Sequence, residues 1–115
     1  MTTICDIDDT LLRKGIYPIQ NVIDIVNKMQ PLILITGRNE SQRARTVDSL
    51  KAAGVRYTKL LMVPDSVTTP QGRDQYKAKI ASSIPDAAVA IDNDAKVRGL
   101  YKRIGIPKVL DPTKM

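Results

Sequence analysis

A chain of 115 residues, 43% of them hydrophobic, can bury one core in one domain and no more, and with Phe and Trp absent that core must be aliphatic. The net charge of +6 favours phosphorylated or polyanionic partners, although a solvated surface of Lys and Arg gives the same sum. A single cysteine excludes a disulfide framework and fits a reducing cytoplasm, the absence of His removes imidazole bases and ligands, and no apolar run approaches the roughly 20 residues that span a membrane or reads as a signal peptide.

Strands and helices alternate along the chain, the pattern of an α/β fold with an open parallel sheet. The first strand is expected at Thr3–Ile7, with Cys5 as a small buried hydrophobe. A loop over Leu11–Tyr17 follows, then a helix that starts near Pro18, presents Ile19, Val22, Ile23, Val26 and Met29 at helical spacing, and stops at Pro31. Leu32–Ile35 is continuously apolar and reads as a strand buried on both faces. The second helix runs from Asn39, an N-cap with Gln42 three residues on, to Gly54 as its C′ residue. A third strand covers Lys59–Val63. Pro64–Gly72 lacks apolar period and is expected to be a mobile loop. A helix over Arg73–Ser83 should turn Tyr76, Ile80 and Ile84 inward. A strand at Ala87–Ile91, a helix capped by Asp94 that buries Val97, Leu100, Tyr101 and Ile104 before Gly105, and a short fifth strand at Lys108–Leu110 complete the chain.

Chemistry gathers at strand ends. The first strand delivers Asp6 and Asp8, the second Thr36-Gly37-Arg38, and the fourth Asp92-Asn93-Asp94; in a parallel sheet these ends share one edge, where open α/β sheets bind ligands. Close carboxylates repel, and a cation or a shared proton must hold them. A Mg²⁺ site in which one Asp attacks phosphorus and the other moves a proton meets that need. Lys77 stands where a flexible cation reaches back to the same edge, with Lys79 as its rival. An EF-hand is disfavoured, because Leu11 and Tyr17 occupy the positions that need Gly and Glu.

The order Asp-x-Asp-x-Thr, then Thr36, then Lys77, then the acidic pair after a later strand resembles the haloacid dehalogenase superfamily. Thr36-Gly37-Arg38-Asn39-Glu40, Arg43, Thr46, Leu50, Gly54-Val55, Tyr57 and Leu61-Met62, together with Ala90-Ile91-Asp92-Asn93-Asp94, Val97, Tyr101 and Ile104-Gly105-Ile106, look more narrowly like the 3′-phosphatase domain of bacteriophage polynucleotide kinase-phosphatases. The resemblance covers nearly the whole chain. It implies a Rossmann-like, capless sheet of about five strands with helices on both faces, and a phage-encoded phosphomonoester hydrolase working in the host cytoplasm. Its substrate would be a phosphorylated molecule, with nucleic-acid 3′ ends as the narrower expectation and a nucleotide or sugar phosphate as the alternative. A phosphate-binding domain without turnover is the non-enzymatic alternative.

The roles the resemblance implies agree with charge and reach. Asp6 would form an aspartyl-phosphate, and Asp8 would protonate the leaving oxygen and then activate water. Asp6, the Asp8 carbonyl and Asp92 would hold Mg²⁺. Thr36 would donate to a phosphoryl oxygen, and Lys77 would neutralise that group. Thr36, Gly37, Arg38, Arg43 and Lys77 would contact substrate, the two arginines through bidentate bonds. Asp94 is left between a helix cap and a water-mediated contact to the metal. Three positions depart from the pattern: Asp9 stands where relatives usually carry Gly, Asn93 where the phosphatase domains carry Asp, and Val63 where they often carry Arg. A response-regulator receiver gathers similar groups, but its Thr and Lys follow the fourth and fifth strands, whereas Thr36 follows the second.

Overall fold

A computed structural model describes residues 1–115. In chain order the elements are β1 (Thr2–Cys5), a hairpin of β2 (Leu12–Arg13) and β3 (Tyr17–Pro18), α1 (Gln20–Val26), β4 (Leu32–Asn39), α2 (Arg43–Ala52), β5 (Lys59–Val63), α3 (Pro70–Ser82), β6 (Ala87–Ile91), α4 (Ala95–Arg103) and β7 (Lys108–Leu110). Five strands form one parallel sheet in the order β5-β4-β1-β6-β7, the Rossmann-like α/β arrangement.

Side-chain alternation along the strands divides the core in two. Cys5, Leu34, Leu60, Met62 and Ile91 face α1 and α2 through Val22, Ile23, Val26 and Leu50. Ile4, Ile35 and Ala90 face α3 and α4 through Ala81, Val97 and Tyr101. Both faces are therefore covered, which explains why these strands read as unbroken apolar runs. After β1 the chain crosses to β4 and β5 on one side and then returns to β6 on the other. The crevice where a doubly wound sheet binds ligands thus lies between β1 and β6. No helix is long and apolar enough to cross a membrane.

Several local expectations are corrected. Leu11–Tyr17 is not a plain loop: Leu12 pairs with Pro18 and Arg13 with Tyr17, around a turn in which Lys14 and Gly15 both take positive φ. β4 runs on to Asn39, which pairs with Val63 despite its polar sequence. Pro64–Gly72 is pinned, because the Asn39 side-chain amide donates to the Pro64 and Val67 carbonyls at 2.9 Å each and the Ser41 amide to Asp65 at 2.9 Å. α3 starts early, at Pro70, with Thr69 as its cap. Its buried face is Lys77, Ala78 and Ala81; Tyr76, Ile80 and Ile84 are half-buried at its margins. Ile104 is exposed rather than buried. Asp9 takes φ +59°, the conformation a glycine would adopt, so the turn after Asp8 survives that departure.

Candidate active site

Asp6 leaves β1 with its amide still bonded to the Ile91 carbonyl at 2.9 Å, which registers it against the end of β6. The Ile7 carbonyl then accepts from the amides of Thr10, Leu11 and Leu12, folding the chain back and burying Ile7, Leu11 and Leu12 beneath the turn. That turn places the Thr10 hydroxyl 3.1 Å from Asp6 Oδ2. Asp92, at the end of β6, is 1% exposed, Asp6 7% and Lys77 4%.

The Lys77 ammonium donates to both carboxylates, at 3.0 Å to Asp6 Oδ1 and 2.6 Å to Asp92 Oδ2. Small Ala78 and Ala81 on the same helix face let α3 approach closely enough for this reach. One ammonium thus faces two buried carboxylates. Burial opposes the charge on Lys77, but Asp6 and Asp92 together outweigh it and hold the amine protonated. The surplus negative charge falls on Asp6: burial pushes it up to about 7, with Asp92 adding and Lys77 only partly offsetting. Lys79, the rival lysine, is exposed and lies 5.8 Å from the Tyr76 ring centre.

On the other side of Asp6, one heteroatom of the Asn93 side-chain amide sits 2.9 Å from Asp6 Oδ2 and 3.1 Å from the Asp8 carbonyl oxygen. With nitrogen in that place the amide donates to both, which satisfies its two ends; with oxygen there, three acceptors converge. Asp92, expected at this point, instead spends Oδ1 on the Asp94 amide at 2.9 Å and Oδ2 on Lys77. Asp94 caps α4 by accepting from the Lys96 amide at 2.8 Å.

Asp8 faces Arg38. Arg38 Nε lies 3.0 Å from Asp8 Oδ2 and its terminal nitrogen 2.6 Å from Oδ1, while the remaining donors reach Gly15 O at 3.2 Å and Thr46 Oγ1 at 3.1 Å. A Cβ on Gly15 would meet Arg38 at 3.0 Å and Asp8 at 3.1 Å, so glycine permits this close approach as well as the positive φ. Arg38 therefore holds Asp8 in place, with little donor capacity left for a ligand. Thr36 is fully buried, its Oγ1 accepts from the Arg38 amide at 3.1 Å, and it does not line the cavity; Gly37 does. Arg43 is not brought to the site. Glu40 holds it bidentately at 2.7 and 2.8 Å, and its third contact is the Leu60 carbonyl at 3.1 Å.

The cavity over Asp6 measures about 670 Å³. Sequence reasoning missed Thr10 and Asn93 as partners of Asp6, although both lie inside the quoted motifs. It also missed Lys14, Arg45 and Arg73 on the cavity wall. Only their charge marked these three, and the sequence has 18 Lys and Arg to choose from.

No protein-family profile matches the chain, and no curated protein matches it. Among solved structures it is similar to a chain described as "Structure of the Pnkp1/Rnl/Hen1 RNA repair complex", with a TM-score of 0.81 and 20% identity over 96% of this chain and 41% of that one. It is also similar to a chain of "Structure of Pnkp1/Rnl/Hen1 complex", with a TM-score of 0.74 and 20% identity over 96% of this chain and 44% of that one. The chain thus spans less than half the length of either relative, and at this identity what the three share is the parallel Rossmann-like fold.

Proposed function

We propose that the chain is a Mg²⁺-dependent phosphomonoester hydrolase of the haloacid dehalogenase type that works on phosphate ends in nucleic-acid repair. The observation that carries this reading is the single Lys77 ammonium shared by Asp6 and Asp92 on the cavity floor, which leaves one buried carboxylate charge for an incoming cation to balance. The likeness to chains of an RNA repair complex supports the substrate side.

The donor set fits a hard divalent cation. No three His, Cys, Asp or Glu side chains form a ready cage, but Mg²⁺ typically takes one or two carboxylates and fills its octahedron with water and phosphate oxygens. Asp6 Oδ2, the Asp8 carbonyl and the Asn93 amide, turned oxygen-inward, would hold it. Asp92 would serve by fixing Lys77. When bound, the ion would supply positive charge to the phosphoryl oxygens.

Asp6 Oδ1, beside Lys77, attacks phosphorus and becomes an aspartyl-phosphate as the ester oxygen leaves. Asp8, after taking a proton from solvent, gives it to that oxygen and then takes one from the water that hydrolyses the intermediate, which restores its protonated form. Lys77 holds the negative charge that builds on the phosphoryl group. Arg38 positions Asp8. Arg38→Ala should therefore lower kcat about 100-fold, the lower range for losing an acid–base group, with KM little changed. Arg43→Ala should leave both within about twofold, because an exposed pair with Glu40 carries little energy. Steady-state kinetics on p-nitrophenyl phosphate separates the two.

The decisive experiment is a phosphatase screen across 3′- and 5′-phosphorylated oligonucleotides, nucleotides and sugar phosphates. EDTA should silence all turnover, and added Mg²⁺ should restore it. Hydrolysis indifferent to both would refute the metal assignment, and absence of hydrolysis from every substrate would leave a phosphate-binding domain.

A further inference from the structure

The cavity wall holds positive charge that the reaction above does not use. Arg38 gathers two segments around itself through the Gly15 carbonyl and the Thr46 hydroxyl. The residues just before these acceptors, Lys14 and Arg45, both line the cavity, and neither has an ion-pair partner. Arg73 lines it from α3, its stem against Gly37. One terminal nitrogen of Arg73 donates to Asn39 Oδ1 at 3.2 Å, whereas its Nε is buried with no acceptor. An unmet buried donor of this kind costs about 1–3 kcal/mol. Of the six acids on the cavity wall, Asp6 and Asp92 are held by Lys77 and Asp8 by Arg38, Asp9 accepts from the Lys14 amide and Asp94 caps α4, so Asp74 is the one carboxylate there with no partner.

We infer that Lys14, Arg45 and Arg73 form a second phosphate-binding site, which takes a phosphate or phosphodiester carried by the substrate a sugar's length from the scissile group. This rests on the hydrolase reading for the position of the first phosphate. A cavity of about 670 Å³ falls in the range that encloses nucleotide-sized ligands and far exceeds a lone phosphate. No aromatic side chain lines it, so it offers no aromatic platform for a base. Recognition rests on the spacing of two anions and is indifferent to base identity.

Kinetics with p-nitrophenyl phosphate, a nucleoside 3′-monophosphate, the 3′,5′-bisphosphate and a 3′-phosphorylated dinucleotide test this. Wild type should show KM values roughly tenfold lower for the last two, the worth of a charge-assisted hydrogen bond. Lys14→Ala/Arg45→Ala should erase that advantage and leave kcat on p-nitrophenyl phosphate unchanged; both residues are exposed, so the variant should fold. With longer oligonucleotides, the slope of log KM against log salt should shrink by about 1.4 in the double variant, two cations on a single strand. Equal KM for mono- and bisphosphate in wild type, or a loss of kcat on all substrates in the double variant, would overturn the site. If wild type hydrolyses nothing, the hydrolase reading fails by itself. Calorimetric titration of the 3′,5′-bisphosphate against the 3′-monophosphate then decides the second site: roughly tenfold tighter binding that the double variant loses supports it, and equal affinity removes it.

Discussion

Asp6→Asn should abolish p-nitrophenyl phosphate hydrolysis and at the same time stabilise the metal-free protein at pH 8. Removal of an attacking group costs activity by about 10⁴-fold or more. The stability effect follows from charge count. In the metal-free fold Asp6 is raised from 3.8 to about 7, so between these values the native state binds more protons than the unfolded chain. Stability therefore falls as pH rises through that window, the reverse of an ordinary salt-bridged carboxylate. The difference is on the order of a few kcal/mol by pH 8. Asn at position 6 leaves Lys77 paired with Asp92 alone, one charge against one, and removes the slope. Urea midpoints in EDTA at pH 5 and pH 8 provide the measurement. Mg²⁺ should raise the wild-type midpoint at pH 8 and leave the variant unmoved. Parallel pH profiles for the two proteins would contradict the surplus charge on Asp6.

Lys77→Met should be the most damaging single change. Methionine fills the same space, but it leaves Asp6 and Asp92 buried with no cation, and breaking a buried ion pair from one side typically costs about 3–5 kcal/mol. Asp6, already raised by burial, must then recruit a proton, so the variant should regain stability as pH falls below neutrality and lose it as pH rises. In the wild type, Lys77 is raised above its ordinary value of 10.5, so its contribution is complete below that value and disappears only in stronger alkali. Turnover should fall about 10²–10³-fold, as for loss of one charge stabiliser. Lys79→Ala is the control: an exposed cation over an aromatic ring contributes at most about 1 kcal/mol. Thermal melts and kcat at pH 6 and 8 would show the contrast, and a Lys77→Met protein with wild-type melting and kcat would return the role to Lys79.

Much of the fold is legible because the sheet is covered on both faces. Leu32–Ile35, Lys59–Val63 and Ala87–Ile91 each supply residues to both clusters, and continuous apolar runs of that length admit few alternatives. What escaped the sequence depends on distant partners. Thr36–Asn39 stays extended because Asn39 pairs with Val63, which no local pattern encodes. The β2–β3 hairpin has only two residues per strand and rests on positive φ at Lys14 and Gly15, so alternation has no length in which to appear. At α3, Ile80 and Ile84 pack against the core as expected, but the place of Lys77 at the centre of the buried face was missed, because a lysine counts as polar until its partners, 71 residues back and 15 ahead, are known. The same holds for the arginines: Glu40, three residues before Arg43, captures it locally and turns it from the cavity, while Arg45 is left free.

Tyr101 carries a practical consequence. The chain has no Trp and four Tyr, so its near-ultraviolet spectrum comes from tyrosine, and Tyr101 is the one tyrosine that is fully buried. Burial raises its phenol, and the charges of Lys77, Asp92 and Asp6 all act on it. A divalent ion bound at the proposed site would change that field without touching the ring. Tyr101 would then serve as an unlabelled chromophore for site occupancy, and difference absorbance with added Mg²⁺ tests cation loading before any substrate is known.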